Sequence, residues 1–283
     1  MSILSDVSET ALITLRSRVI ESHKDQPVIQ DEMGATLLQK MTDQLTAETR
    51  ARVLGRELPT TLTQHIALRS RKYDQYTKDF LAQYSDGLVV SLGSGFDTRY
   101  WRVSDRPWRY IEIDLPSVIE AKQRVLGDQI DYTLIGHSVL ETAWIKRITA
   151  EQNQHVLFLA EGLFMYLPPD EVINLFQALA ASFTASQIVF EVVHKRYTKG
   201  LWKKSVEAKM KRNLGSTAGS SYQFGLADAT EIESYAANLH VIEEWSYFED
   251  EDLSPRMMRF FRHINFVART QWTIRATIGE KLA

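Results

Sequence analysis

The 283-residue chain contains no cysteine. That absence removes disulfides, thiolate metal sites, cysteine nucleophiles and CxxC redox chemistry together, and it fits a reducing cytoplasm. A charge imbalance is also missing: 33 Lys and Arg face 36 Asp and Glu, for a net charge of −3. So even a balance leaves no electrostatic footprint for nucleic acid and no polybasic membrane anchor, and neither partner is expected. Long apolar runs are lacking too. The most apolar stretch, HVLFLAEGLFMYLPP, carries Glu161 and is too short to span a bilayer. The opening MSILSDVSETALITLRSR lacks the charged start, apolar run and small-residue cleavage site of a secretory signal, so the reading is a cytoplasmic protein. No two of the seven histidines lie within five positions, which excludes HExxH-type metal sites, and no metal is expected. What is present is 44% hydrophobic residues, ample for a packed core.

The first 85 residues read as a helical cap. Apolar residues recur at three- and four-residue spacing over Ser8–Arg18, Asp31–Met41 and Leu62–Tyr84, with Pro27 and Pro59 between them. From Gly87 the pattern becomes short β-branched runs: LVVSL (88–92), RYIEID (109–114), DYTLIG (131–136), HVLFLA (155–160) and SQIVFEVV (186–193). Helical segments separate them, including Pro116 at one helix start, a helix near 140–150 and another over Pro169–Ala181. Strands alternating with helices imply βαβ units and a parallel sheet. The rhythm breaks at Lys195, where a basic amphipathic stretch gives way to LGSTAGSS. A helix near 228–238, a strand near 240–247, a helix near 255–268 and a strand near 270–278 complete the chain. The expectation is a single α/β domain over 1–283 with a Rossmann-like, mostly parallel seven-stranded sheet. Its parts are a cap (1–85), a cofactor-binding core (86–194), an insertion (195–227) and the last part of the sheet (228–283).

The segment VVSLGSGFDTRYW sets Gly93 and Gly95 directly after the first strand. Paired glycines let the backbone turn sharply and approach a ligand closely, and ligands of open α/β sheets sit beyond the carboxyl ends of the strands. Asp114 ends the second strand 19 residues after Gly95 and can accept hydrogen bonds from both hydroxyls of a ribose. A plain tight turn would also explain GSG; the acid at the next strand end favours an adenosine-containing cofactor. The dinucleotide fingerprint wants a third glycine where Thr98 stands, and Asp97 beside it would repel a pyrophosphate. Asp97 suits a cofactor with a sulfonium and an ammonium and no phosphate, S-adenosyl-L-methionine. An NAD(P)-dependent oxidoreductase is the alternative reading.

LGSGFDTRYWR, YIEIDLP followed by Lys122, LAEGLFMYLPPDEV and the helix segment LRSRKYDQY (68–76) together resemble the leucine carboxyl methyltransferase family, nearest its bacterial branch of polyketide O-methyltransferases. The opening RVIESHKDQPVIQDEMGATLL resembles that family as well, and the likeness covers about residues 10–195. It implies a class I methyltransferase fold. By the resemblance, Arg69 pairs with the cofactor's carboxylate, Gly93, Ser94 and Gly95 form the glycine loop, and Asp97 lies near the methionine moiety. Asp114 is the ribose acid with Leu115 against adenine, and Glu161 is an acid close to the cofactor. Where the family often has an acid for the adenine amino group, this chain has Ser138 beside Val139.

A carboxylate acceptor needs no base, whereas a phenol or alcohol does. Tyr166, Glu161 and His194, each just past a strand end, are the candidates. The insertion 195–227, rich in lysine and arginine, reads either as an ordinary solvated helix or as a lid that attracts an acidic acceptor, hinged at Gly215, Gly219 and Gly225. A small-molecule acceptor is favoured; a cofactor-binding scaffold without catalysis is the remaining alternative.

Overall fold

A computed structural model of the chain describes residues 6–150, 155–214 and 221–279. Four helices come first: α1 (Asp6–Ser22), α2 (Glu32–Asp43), α3 (Ala47–Leu54) and α4 (Thr60–Gln83). Asp31 starts α2 by accepting a hydrogen bond from the Gly34 backbone N–H, an ordinary N-cap. Then follow β1 (Leu88–Leu92), α5 (Arg99–Val103), β2 (Tyr110–Asp114), α6 (Pro116–Leu126), β3 (Thr133–Gly136) and α7 (Ala143–Ala150). The rest of the chain adds β4 (Val156–Ala160), α8 (Pro169–Ser182), β5 (Ala185–Val192), α9 (Gly200–Leu214), β6 (Leu239–Trp245), α10 (Asn265–Ala268) and β7 (Trp272–Gly279).

The seven strands form one sheet in the order β3-β2-β1-β4-β5-β7-β6. β1 pairs in parallel with both β2 and β4, and only β7 runs against its neighbours. The chain leaves β1 toward one edge and returns at β4 toward the other. That reversal opens a crevice beyond the carboxyl ends of β1 and β4, where α/β sheets take their ligands. The continuous apolar runs of β1 and β4 are buried along their whole length because helices cover both faces of the sheet. On one face α7 and α8 supply Trp144, Ile148, Leu175 and Phe176. On the other, Tyr73, Tyr76 and Phe80 of α4 pack on Val89, Leu157 and Val189. Leu12, Leu15, Leu37 and Met41 carry α1 and α2 onto Phe96 and Val118, so these two helices lie over the loop after β1 and over α6.

Three expected features differ. The segments near 228–238 and 255–268 are not continuous α-helices. Residues Ala229–Ser234 and Arg256–His263 form 3-10 turns, and only Asn265–Ala268 is α-helical. Arg256–His263 buries no residue, and Met257 and Phe260 of its apolar stripe stay exposed, so little packing on the core is there to hold a longer α-helix. Gly225, read as a hinge, is packed tightly: a Cβ there would meet the Val193 carbonyl oxygen at 2.7 Å. Gly215 and Gly219 lie outside the described residues. Among the described residues no helix is long and apolar enough to cross a membrane, and no cluster of three or more metal-ligating side chains occurs.

Beneath the glycine loop Lys122 and Glu112 form an ion pair in which both side chains are fully buried. Lys122 Nζ donates to both Glu112 oxygens, at 2.7 and 2.6 Å, and to the Asp97 carbonyl. Removing one partner strands the other charge in low dielectric. We expect Lys122→Met to lower unfolding free energy in urea by about 3–5 kcal/mol, and Lys122→Met with Glu112→Leu to recover most of it. An unchanged urea midpoint in the single variant would contradict the pairing.

Candidate functional site

A cavity of about 530 Å³ opens beyond the carboxyl ends of β1 to β4. Its floor is the loop after β1, where Gly93 and Gly95 take φ values of +62° and +54°. Side chains rarely adopt this region, and the space is closed as well: a Cβ on Gly93 would meet Leu163 at 2.7 Å and one on Gly95 would meet Ala11 at 3.1 Å. Between them the Ser94 hydroxyl is buried and has no hydrogen-bond partner among the described residues, although Ser94 lines the cavity. A buried orphan of this kind needs a ligand or water. Asp114 closes one side. Its Oδ2 accepts from the Gly95 N–H at 2.6 Å and its Oδ1 from the Leu115 N–H at 2.7 Å. Burial raises the Asp114 carboxyl despite these two bonds. A carboxylate has about four acceptor positions, so two remain for a pair of hydroxyls. Leu115 stands at the rim, 39% exposed, an apolar side chain with a face open to the cavity.

The far side is ionic. Glu161, just past β4, accepts from Arg69 Nε at 2.9 Å, from the Ser70 hydroxyl at 2.8 Å and from Arg99 Nη2 at 2.6 Å. Arg69 Nη1 donates to Glu191 of β5 at 2.8 Å. Arg99 also donates to Asp74 and Asp97, and Arg102 bridges Asp74, Asp97 and Asp31. Arg18 of α1 completes the network through Asp31 and the Phe96 carbonyl. Burial alone would raise the Glu161 carboxyl; Arg69 and Arg99 outweigh it and hold it below the usual carboxylate range. Asp97 is likewise held low by Arg99 and Arg102 against its burial.

The chain matches the leucine carboxyl methyltransferase family over residues 11–180, more than half its length. It belongs to that family. The tetracenomycin polyketide synthesis O-methyltransferase TcmP of Streptomyces glaucescens is 27% identical over 253 residues, covering 89% of this chain and 87% of that protein. A putative S-adenosyl-L-methionine-dependent methyltransferase of Mycobacteroides abscessus is 29% identical over 222 residues, 72% of each chain. Among solved structures, a DUF574 family protein from Streptomyces avermitilis superposes with a TM-score of 0.57 at 11% identity, covering 94% of this chain and 96% of that one, a likeness of fold.

This leucine carboxyl methyltransferase family member brings most residues singled out from its sequence to one cavity. Arg69, Gly93, Ser94, Gly95, Asp97, Asp114, Leu115, Ser138, Val139, Glu161 and Tyr166 all line it. Three of them are more committed than expected. Arg69 has Nε and Nη1 engaged, leaving Nη2 without a partner among the described residues. Asp97 spends its oxygens on Arg99, Arg102 and the Thr98 N–H. The Ser138 hydroxyl accepts from the Leu140 N–H at 3.3 Å. His194 is not brought to the cavity. Its Nδ1 caps the following turn by accepting from the Arg196 N–H, and burial with Arg196 and Arg269 lowers its pKa. Sequence reasoning passes over Thr10, Ala11, Thr14 and Arg18 of α1, together with Arg99, Ser221, Gln223 and Gln271, which also line the cavity. Arg99 lies inside the LGSGFDTR motif itself, and a buried arginine beside an acid was the available signal. The α1 residues carry none, because an amphipathic helix does not announce what it covers.

The glycine geometry yields a direct test. Gly93→Ala places a Cβ in a left-handed position against Leu163. The strain of that backbone conformation is about 1–3 kcal/mol. We expect a lower melting temperature together with weakened binding of S-adenosylhomocysteine, measured by calorimetry. Unchanged values for both would show that the loop is not held in this conformation.

Proposed function

We propose that this methyltransferase uses S-adenosyl-L-methionine to methylate the carboxylate of a small molecule. The observation that carries the acceptor class is that none of the base candidates among the described residues is poised to take a proton at the cavity wall. Glu161 is locked in its ionised form by two arginines. Burial pushes the Tyr166 phenol up to about 12, with Glu191 adding to the rise, and the phenol hydrogen bonds to Tyr222. His194 faces elsewhere. Neither a phenol nor an alcohol would find its proton acceptor here, whereas a carboxylate arrives ionised.

The cavity suits the cofactor in chemistry. When bound, S-adenosyl-L-methionine supplies a methyl carbon already activated by its sulfonium. Asp114 accepts from the ribose hydroxyls, Leu115 and Val139 flank the adenine, and the Ser138 hydroxyl or nearby backbone meets its amino group. The glycine turn lets the chain come close, and Arg69 Nη2 receives the carboxylate. The carboxylates of Asp97 and Glu161 set up a negative field for the sulfonium and ammonium. Helix α1 with Ser221 and Gln223 walls the cavity, excluding water and orienting the acceptor behind the methyl group. We read the chain as one methyltransferase domain with 1–85 as its cap, 86–194 as the cofactor core, 195–227 as the cover and 228–283 completing the sheet. The reading places it in the cytoplasm with a small-molecule partner. The inclusion of strands from 88 to 279 in a single sheet supports the reading of one domain.

Calorimetry with S-adenosylhomocysteine tests the cofactor. Asp114→Ala should weaken binding by about 1–3 kcal/mol through lost hydrogen bonds to an ionised group. Binding of a nicotinamide dinucleotide with no response to S-adenosylhomocysteine would overturn the reading. Transfer assays over carboxylic acids and phenols test the acceptor. With a carboxylate, kcat should be flat from about pH 6 to 9, because the acceptor is ionised throughout. A rate that rises tenfold per unit on a phenol would reverse the assignment, and binding without turnover on any acceptor would leave a scaffold.

A further inference from the structure

The two carboxylates that hold Arg69 live in different surroundings. Glu161 has two arginines and the Ser70 hydroxyl. Among the described residues Glu191 has Arg69 as its one arginine, with Oε2 at 2.8 Å from Nη1, a hydrogen bond from the Gly162 backbone N–H, and Oε1 at 3.8 Å from His65 Nε2. It is 1% exposed and does not line the cavity, whereas the Arg69 guanidinium that it holds does, with Nη2 lacking a partner among the described residues. The charged and titratable groups around it are His65, Arg69 and Tyr73 of α4, Glu161 after β4, Tyr166, Tyr222, and Tyr247 after β6. Burial pushes the Glu191 carboxyl up to about 7; Arg69 opposes the rise and the charge of Glu161 adds to it.

We propose that Glu191 is a positioning residue that competes with the cofactor for Arg69: it holds the guanidinium in place and takes up a proton when the cofactor's carboxylate arrives. The inference rests on the cofactor reading above. A carboxylate on Nη2 sets a third anion around one guanidinium. Glu161 keeps its charge because Arg99 and Ser70 still hold it, so the repulsion falls on Glu191. A proton from solvent adds to the Glu191 carboxylate, and the arginine's charge is then matched by the ligand. The sign follows by linkage. Burial raises the Glu191 carboxyl to about 7 in the free protein, and the complex binds its proton more tightly. Affinity is therefore steady below about pH 7 and falls as pH rises above it. The ligand's ammonium, one carbon from its carboxylate, offsets part of the repulsion. We expect a loss of about two- to fivefold per pH unit rather than the full tenfold of one whole proton.

The experiment is calorimetric titration of the full chain with S-adenosylhomocysteine from about pH 6 to 8.5, in buffers of different ionisation enthalpy, which reads proton uptake directly. Wild type should take up a fraction of a proton at the alkaline end. With 5′-methylthioadenosine, which has no carboxylate, uptake and slope should vanish. Glu191→Gln keeps an acceptor on Nη1 and should bind S-adenosylhomocysteine at every pH as wild type does at the acid end. His65→Gln removes the neighbouring imidazole and should keep the slope. A flat wild-type profile without proton uptake, an equal slope with 5′-methylthioadenosine, or a slope that survives Glu191→Gln overturns the proposal. The two-ligand comparison on wild type decides the matter even where Glu191→Gln fails to fold. Folded wild type that binds no S-adenosylhomocysteine at any pH removes the cofactor reading and this inference with it. Binding with a flat profile removes the inference alone.

Discussion

Buried charge that has to be paired is the constraint on which the site depends. Four arginines, Arg18, Arg69, Arg99 and Arg102, meet five carboxylates, Asp31, Asp74, Asp97, Glu161 and Glu191, in one connected network. None of these side chains is more than 14% exposed. Stranding any one of them unpaired in this environment would be strongly destabilising. The network therefore fixes how α1, α2 and α4 sit on the sheet. Asp31, at the start of α2, takes Arg18 from α1 and Arg102 from α5. Asp74 of α4 takes Arg99 and Arg102. The apolar contacts of Leu12, Leu37 and Tyr73 bring the helices down; the ion pairs set where they stop.

This arrangement explains why α1 and α4 form part of the cavity wall. A sheet and its glycine turn alone provide the floor and the Asp114 wall. The opposite wall comes from α1, which lays Ala11 against Gly95, and from α4, which carries Arg69. Gly95 and Ala11 are small for one shared reason, since the helix crosses directly over the turn. The same loop is braced from below by Lys122, whose Nζ reaches the Asp97 carbonyl. The turn is thus held from both sides before any ligand arrives, which is the preorganisation that binding without large rearrangement requires.

The central strands β1, β2, β4 and β5 were legible because each is a short, mostly apolar run buried on both faces, a pattern that the sheet's double cover imposes. Gly93, Gly95 and Asp114 could be placed at the cavity for a related reason: their positions follow from a strand end, and strand ends can be counted. The ion network was not legible. Arg99 finds Asp74 25 residues away and Glu161 62 residues away, and no local spacing encodes such a meeting. A partial signal did exist. A glutamate inside an apolar strand needs a partner, and Glu112 within YIEID and Glu191 within QIVFEVV carry that signal as plainly as Glu161 does. His194 shows the opposite failure. Its place past a strand end suggested chemistry, yet its ring was taken by the backbone of the next turn.

The arithmetic of the network also bears on its ligand. Five carboxylates against four arginines leave one surplus negative charge when all are ionised. A buried surplus is relieved in two ways. A proton can neutralise the member with the weakest cationic support, and Glu191, with a single arginine, is that member. Alternatively a cation can enter the adjoining cavity, where its attraction is strong because the medium is poorly screening. A sulfonium ligand supplies such a charge and its thioether product does not. The two routes are alternatives, because a proton on Glu191 removes the surplus that would otherwise attract the cation.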